Sequence, residues 1–214
     1  MSIRVVLVDD HAVVREGLSA LLHAHSGIEV VGSFGEGREA LLAASRLQPQ
    51  VAILDIAMQR LNGIETARLF HDEYPDIALL MLSMYADTEH VNQALRAGAS
   101  GYVIKESAAS EVVAAVRALA AGGRYMSERI GAWVLEDYLQ GRAAEDPLER
   151  LSARERQVMQ QVVEGRTSAE IAALLNLSPK SVDTYRSRMM TKLDVEDIPS
   201  LVKFAIRHGI TNVE

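Results

Sequence analysis

Through the first 125 residues, short apolar runs alternate with longer stretches in which apolar residues recur every three or four positions. Five runs read as strands: RVVLV from Arg4, EVVGSF from Glu29, VAIL from Val51, IALLML from Ile77 and GYVIK from Gly101. Between them, Val14, Leu18, Leu21 and Leu22 mark one helical face. Ile64, Ala67, Leu69 and Phe70 mark another, and Val112, Val113, Val116 and Leu119 a third. Strands apolar on both faces that alternate with helices predict a parallel sheet covered on both sides.

The pattern changes after AAGGRYMS. A helical stretch from Glu128 to Gln140 leads into GRAAEDPLER, where glycine, proline and charges leave little to bury, so Gly141 to Arg150 reads as a linker. Beyond it only helical patterns follow: SARERQVMQQVVEG, SAEIAALLNL, SPKSVDTYRSRMMTKL and IPSLVKFAIRHG. The expected organisation is an α/β domain over residues 1–125, a helix and linker over 126–150 and a small all-α domain over 151–214.

Charge sharpens that division. The net charge of −7 falls entirely on residues 1–145, and residues 146–214 balance at zero. The acidic half is a poor surface for nucleic acid, while the neutral half leaves room for a local basic face. With no cysteine in 214 residues, disulfides and thiolate metal sites are excluded. No apolar run approaches the length of a membrane span, and MSIRVVLVDD does not read as a signal segment. A cytoplasmic protein without membrane attachment is expected.

In open parallel sheets, ligands bind outside the carboxyl ends of the strands. Asp9 and Asp10 follow the first strand, Asp55 the third, Ser83 ends the fourth and Lys105 the fifth. Singly, each has a plain structural reading; Asp10, for example, would cap the helix that begins near Ala12. Together they place three carboxylates, a hydroxyl and an ammonium at one sheet edge. Crowded carboxylates resist ionisation, and a hard divalent cation such as Mg²⁺ removes that conflict through oxygen ligands. Asp55 could then act as a nucleophile toward a phosphoryl group. Lys105 and Ser83 would stabilise its oxygens.

In the second half, EIAALLNLSPKSVDTYRSRMMTKL reads as a helix ending near Leu175, the short turn NLS and a second helix from Pro179 capped by Ser178. That is a helix-turn-helix, whose second helix enters the major groove of DNA. Val182, Tyr185, Met189 and Leu193 face inward by spacing. Lys180, Ser181, Asp183, Thr184, Arg186, Ser187, Arg188 and Lys192 are left as candidate DNA contacts. Four bases and one acid between Ser178 and Leu193 give this helix a local charge of +3.

VLVDDH, VAILDIAM, LLMLSM and GYVIKES resemble the receiver domain of two-component response regulators. LSARERQVMQQVVEG, EIAALLNLSPKSV and MMTKL resemble the LuxR-type DNA-binding domain of the NarL/FixJ family. The resemblance implies a five-stranded, flavodoxin-like sheet of strand order 2-1-3-4-5, followed by a four-helix domain. It also implies phosphorylation of Asp55 by a sensor histidine kinase. Mg²⁺ would be held by Asp10, Asp55 and the Ala57 backbone carbonyl, with Asp9 acting through water or at one remove. Ser83, Lys105 and Tyr102 would carry the switch, although Tyr102 reads equally well as a half-buried tyrosine on an edge strand. Phosphorylation would favour homodimers on paired half-sites in promoters. The apolar residues Leu201, Val202, Phe204 and Ile206 of the last helix would join the paired domains or close the core.

This chain departs from the pattern in several places. Gln59 stands where proline is usual, with an expected effect on loop rigidity and phosphoryl lifetime. Met84 is bulkier than the usual residue beside the hydroxyl. Ser168 and Ala169 replace the usual Asn and Lys, which removes one phosphate contact. Tyr185 replaces a common histidine, and Asp183 occupies a place that can contact bases, where it would accept from a cytosine amino group or simply reject some sequences. The expected function is transcription regulation rather than enzymatic turnover. Two alternatives stay open: a phosphate-independent DNA-binding regulator, and a phosphatase using Asp55, for which Ala57 and Met58 supply no general acid.

Overall fold

The five apolar runs each become a strand: β1 (Ile3–Val8), β2 (Ile28–Phe34), β3 (Val51–Asp55), β4 (Ala78–Ser83) and β5 (Gly101–Ile104). The computed structural model describes residues 2–84, 87–128, 130–131, 147–208 and 210–211. The chain forms two compact units, Met1–Arg142 and Ala143–Glu214. Helices α1 (Ala12–His23), α2 (Gly37–Leu47), α3 (Gly63–Glu73), α4 (Thr88–Arg96) and α5 (Ala108–Ala120) connect and follow the strands of the first unit.

The sheet is parallel throughout, but it has six strands rather than the expected five, in the order β2-β1-β3-β4-β5-β6. The sixth, β6, is only Tyr125–Met126. Two residues are too few to show any periodicity. The open edge of β5 recruits them: the Tyr125 N–H donates to the Ser100 carbonyl at 3.2 Å and the Ser127 N–H to that of Tyr102 at 3.1 Å. The Ser127 hydroxyl then donates to Glu111 of α5 at 2.6 Å. β5 is therefore an interior strand.

Alternate residues of each strand feed two cores. Val6, Val8, Ala52, Leu54, Leu79 and Met81 pack with Ala40, Ala44, Ala67, Phe70 and Val91 of α2, α3 and α4. Val5, Leu7, Ile53, Leu80, Leu82 and Val103 pack with Leu18 and Leu22 of α1 and with Val112, Val116 and Leu119 of α5. Burying a side chain of this size stabilises the fold by about 1.5–3 kcal/mol. The doubly covered sheet thus rests on continuous apolar runs, and its polar residues are displaced to the strand ends.

The second unit contains a 3₁₀ turn (Pro147–Arg150) and helices α6 (Ala153–Val163), α7 (Ser168–Leu175), α8 (Pro179–Leu193) and α9 (Ile198–Arg207). Ser152, Thr167, Ser178 and Asp197 each cap a helix with a side-chain oxygen. Each such cap contributes about 1 kcal/mol. Leu148 and Leu151 are buried in this core, so residues 147–150 pack as part of the second unit rather than as linker. At the other end of the expected connector, Ile130 is buried in the first unit. Most of the helix expected from Glu128 to Gln140, and the linker up to Asp146, lie outside the described residues. Among the described residues, no helix is long and apolar enough to cross a membrane.

Candidate functional site

Parallel register brings the strand ends level: Val8 pairs with Leu54, Asp55 with Leu82 and Ser83 with Ile104. Asp9 and Asp55 are therefore side by side although 46 positions apart in the chain, and both are 2% exposed. Lys105, in the 3₁₀ turn after β5, lies 2.8 Å from Asp9 Oδ2 and 2.9 Å from Asp55 Oδ1. One ammonium serves two carboxylates. Burial raises the Asp55 pKa above the ordinary carboxylate value, and the Asp9 charge adds to this. Lys105 and the Ala57 backbone N–H pull the other way without cancelling it. Burial opposes the charge on Lys105 too, yet the two aspartates outweigh it and raise the pKa.

Asp10 does not cap α1. The cap position is His11, with no side-chain bond to the helix. Asp10 turns toward the site, where its Oδ2 accepts from the Gln59 N–H at 3.3 Å. A proline at 59 would lack this donor. His11 was not anticipated as part of the cluster. Its N–H donates to Asp9 Oδ1 at 2.8 Å, and its Nδ1 is 2.8 Å from Asp10 Oδ1. Asp9, Asp10, His11 and Asp55 offer ligand atoms all within 4.8 Å of one another, a group able to hold a metal ion. Asp55 Oδ2 is buried without a hydrogen-bond partner, and an orphaned carboxylate oxygen in such a set fits a hard cation.

Gly63 also escaped the sequence reading, because no pattern marks it. A Cβ at this position would fall 1.9 Å from the Asp55 carbonyl oxygen, so only glycine lets α3 start against the end of β3. The Asn62 side chain caps that helix.

Ser83 is 1% exposed and Tyr102 is fully buried, not half-buried on an edge. The Tyr102 hydroxyl hydrogen-bonds with Ser83, and burial raises its pKa. Met84, beside them, is 62% exposed.

In the second unit, α7 ends at Leu175, Asn176 adopts a left-handed conformation at φ 54°, and Ser178 accepts from the Ser181 N–H to start α8. Val182, Met189 and Leu193 are buried and Tyr185 is half-buried, as the spacing predicts. Lys180, Asp183, Thr184, Ser187, Arg188 and Lys192 are exposed, and Ser181 and Arg186 are half-buried. Lys192 is drawn back into its own domain by Glu155, 2.6 Å away. Asp183 accepts a hydrogen bond from the Ser168 hydroxyl at 2.7 Å. Leu201 and Ala205 of α9 close the core, while Val202 and Ile206 are half-buried.

Two family models match the chain: the response regulator receiver domain over residues 5–117, and the luxR family of bacterial regulatory proteins over 149–205. Response regulator UvrY of Escherichia coli is 35% identical over 212 residues, covering 99% of this chain and 97% of the relative. The transcriptional regulatory protein MctR of Rhizobium johnstonii is 34% identical, covering 98% and 96%. A structure of two RcsB dimers bound to two parallel DNAs is 25% identical with a TM-score of 0.59, covering 95% of this chain and 98% of that one. The chain belongs to the two-component response regulators of the NarL/FixJ family, with a receiver domain followed by a LuxR-type helix-turn-helix DNA-binding domain.

Proposed function

We propose that Asp55 accepts a phosphoryl group from a sensor histidine kinase and that this event controls binding to promoter DNA. The observation that carries the reading is the unpartnered, buried Asp55 Oδ2 at the floor of the acidic cluster. In the transfer, an Asp55 oxygen forms a bond to phosphorus as the phosphorus–nitrogen bond to the kinase histidine breaks. The electron pair of the broken bond stays on the histidine nitrogen, and with one proton taken up from solvent the imidazole leaves neutral. Mg²⁺ would be held by Asp10, Asp55 and the Ala57 carbonyl, with Asp9 acting through water or at one remove, and would offset the crowding of negative charge around the phosphoryl group. Lys105, already on Asp55, stays on the phosphorylated side chain and neutralises its new charge of roughly −1.5 to −2.

The Ser83 hydroxyl would turn from Tyr102 to a phosphoryl oxygen, which couples the phosphorylation state to the residue paired with β6. Dimers would then form on paired half-sites, a reading supported by the RcsB dimers bound to DNA in the similar structure, with Val202 and Ile206 available for apolar contact between the DNA-binding domains. Lys180, Ser181, Asp183, Thr184, Arg186, Ser187 and Arg188 face the DNA in this reading. Lys192 reaches a phosphate only by giving up Glu155. The sites of action are cytoplasmic.

The test is intact-protein mass after incubation with acetyl phosphate, with and without Mg²⁺, beside Asp55→Asn. A single phosphoryl adduct that requires Mg²⁺ and is lost in the variant is expected, with tighter DNA binding by the phosphorylated form. No adduct from folded protein, with unchanged DNA affinity, would favour a phosphate-independent regulator.

A further inference from the structure

Two departures from the family pattern meet in space. Ser168, the first residue of α7, reaches across to Asp183, the fifth residue of α8, and its hydroxyl donates to Asp183 Oδ1 at 2.7 Å. Ser168 is half-buried and Asp183 exposed, so the bond forms at the edge of the face that a helix-turn-helix turns toward DNA. The N-terminal part of the second helix is the part that reaches base edges, and Asp183 lies within it. By sequence, Ser168 removes a phosphate contact and Asp183 occupies a place that can contact bases.

A carboxylate beside DNA is repelled by every phosphate, so its presence there needs a partner that offers hydrogen. Ionised Asp183 can only accept. Ser168 takes one carboxylate oxygen, and the other has no partner among the described residues. A hydroxyl–carboxylate bond is charge-assisted and holds the side chain in one rotamer. That preorganisation spares the ordering otherwise lost on binding. In the major groove, cytosine presents its N4 amino group as a donor, whereas guanine presents N7 and O6 and thymine O4, all acceptors. Adenine offers an amino group beside an acceptor.

We infer that Ser168 is a positioning residue that aims the Asp183 carboxylate into the major groove, so that this protein selects cytosine at one position of each half-site. The inference rests on the DNA-binding reading of the second unit. It assigns a recognition role to a residue of α7, outside the helix that reads the groove.

The test uses the full chain treated with acetyl phosphate and Mg²⁺, selecting from a library of duplexes with a randomised core. Asp183→Ala, Asp183→Asn, Ser168→Ala and Ser168→Thr are selected in parallel. Wild type is expected to prefer cytosine over guanine or thymine at one position of each half-site by roughly 5- to 150-fold. Asp183→Ala loses that preference while keeping or raising its affinity for unselected DNA, since one repulsive charge is gone. Asp183→Asn moves the preference to adenine, whose N6 and N7 suit an amide. Ser168→Ala weakens the cytosine preference several-fold at unchanged thermal stability, and Ser168→Thr, which keeps the hydroxyl, restores it. If Ser168→Ala selects the wild-type sequence with equal discrimination, this inference falls and DNA binding stands. If wild type enriches no sequence, both fall.

Discussion

Replacing Asp55 by asparagine should make the receiver more stable when metal is absent. The side chain keeps its shape and loses its charge. At an effective dielectric of about 20, the attraction of Asp55 to Lys105 at 2.9 Å is about 6 kcal/mol, and repulsion from Asp9 at up to 4.8 Å returns about 3–4 kcal/mol. Taking the carboxylate out of water costs several kcal/mol more. The charge is therefore a net burden, in agreement with the raised pKa of Asp55. Each unit of that rise is worth about 1.4 kcal/mol.

An acid whose folded pKa is raised contributes stability below its unfolded pKa of about 3.8 and loses it as pH rises through the folded value. At pH 7.5 in EDTA, Asp55→Asn should gain about 1–3 kcal/mol. By calorimetry this is a rise of roughly 3 °C per kcal/mol in the receiver transition, with the DNA-binding unit as an internal control. The advantage should shrink as pH falls toward 4. Mg²⁺ at a hundred times its Kd should stabilise wild type by about 2.7 kcal/mol and the variant by less, closing the gap. An asparagine variant no more stable than wild type in EDTA, or a gap indifferent to pH, would refute this account of the pocket.

Gly63→Ala should abolish phosphoryl adduct formation with Asp55 intact, because the methyl group would fall 1.9 Å from the Asp55 carbonyl oxygen and displace the end of β3; intact-protein mass reads the loss. Glu155→Gln should cost the DNA-binding unit about 1.5–3 kcal/mol at pH 7, seen as a lower melting temperature. Burial opposes the Glu155 charge, but Lys192 and Ser152 outweigh it and lower the pKa, so this contribution is present above about pH 4.5 and fades as pH falls through the folded value. Ser178→Ala removes the acceptor for the Ser181 N–H and should lower the stability of the same unit by about 1 kcal/mol, with weaker DNA binding measured by anisotropy.

The sequence alone was enough to place Asp9, Asp10, Asp55, Ser83 and Lys105 at one sheet edge. Buried parallel strands are continuous apolar runs, and each of these residues stands where such a run stops. The helix-turn-helix was legible for a related reason. Caps such as Ser178 and inward spacings such as Val182, Met189 and Leu193 are local signals, set by backbone geometry within a few residues. β6 was not legible, because two residues carry no period and the strand exists only through the open edge of β5.

Tertiary structure alone decided how those groups are paired. It turned Asp10 from a helix cap to the Gln59 N–H, added His11 to the cluster and left Asp55 Oδ2 without a partner. It set Gly63 against Asp55, Lys192 on Glu155 and Ser168 on Asp183. Most of these contacts join residues 8 to 49 positions apart. Their strength depends on distance and burial, which no local pattern encodes. A residue's type shows which bonds it is able to make, and the packed chain determines which of them it does make.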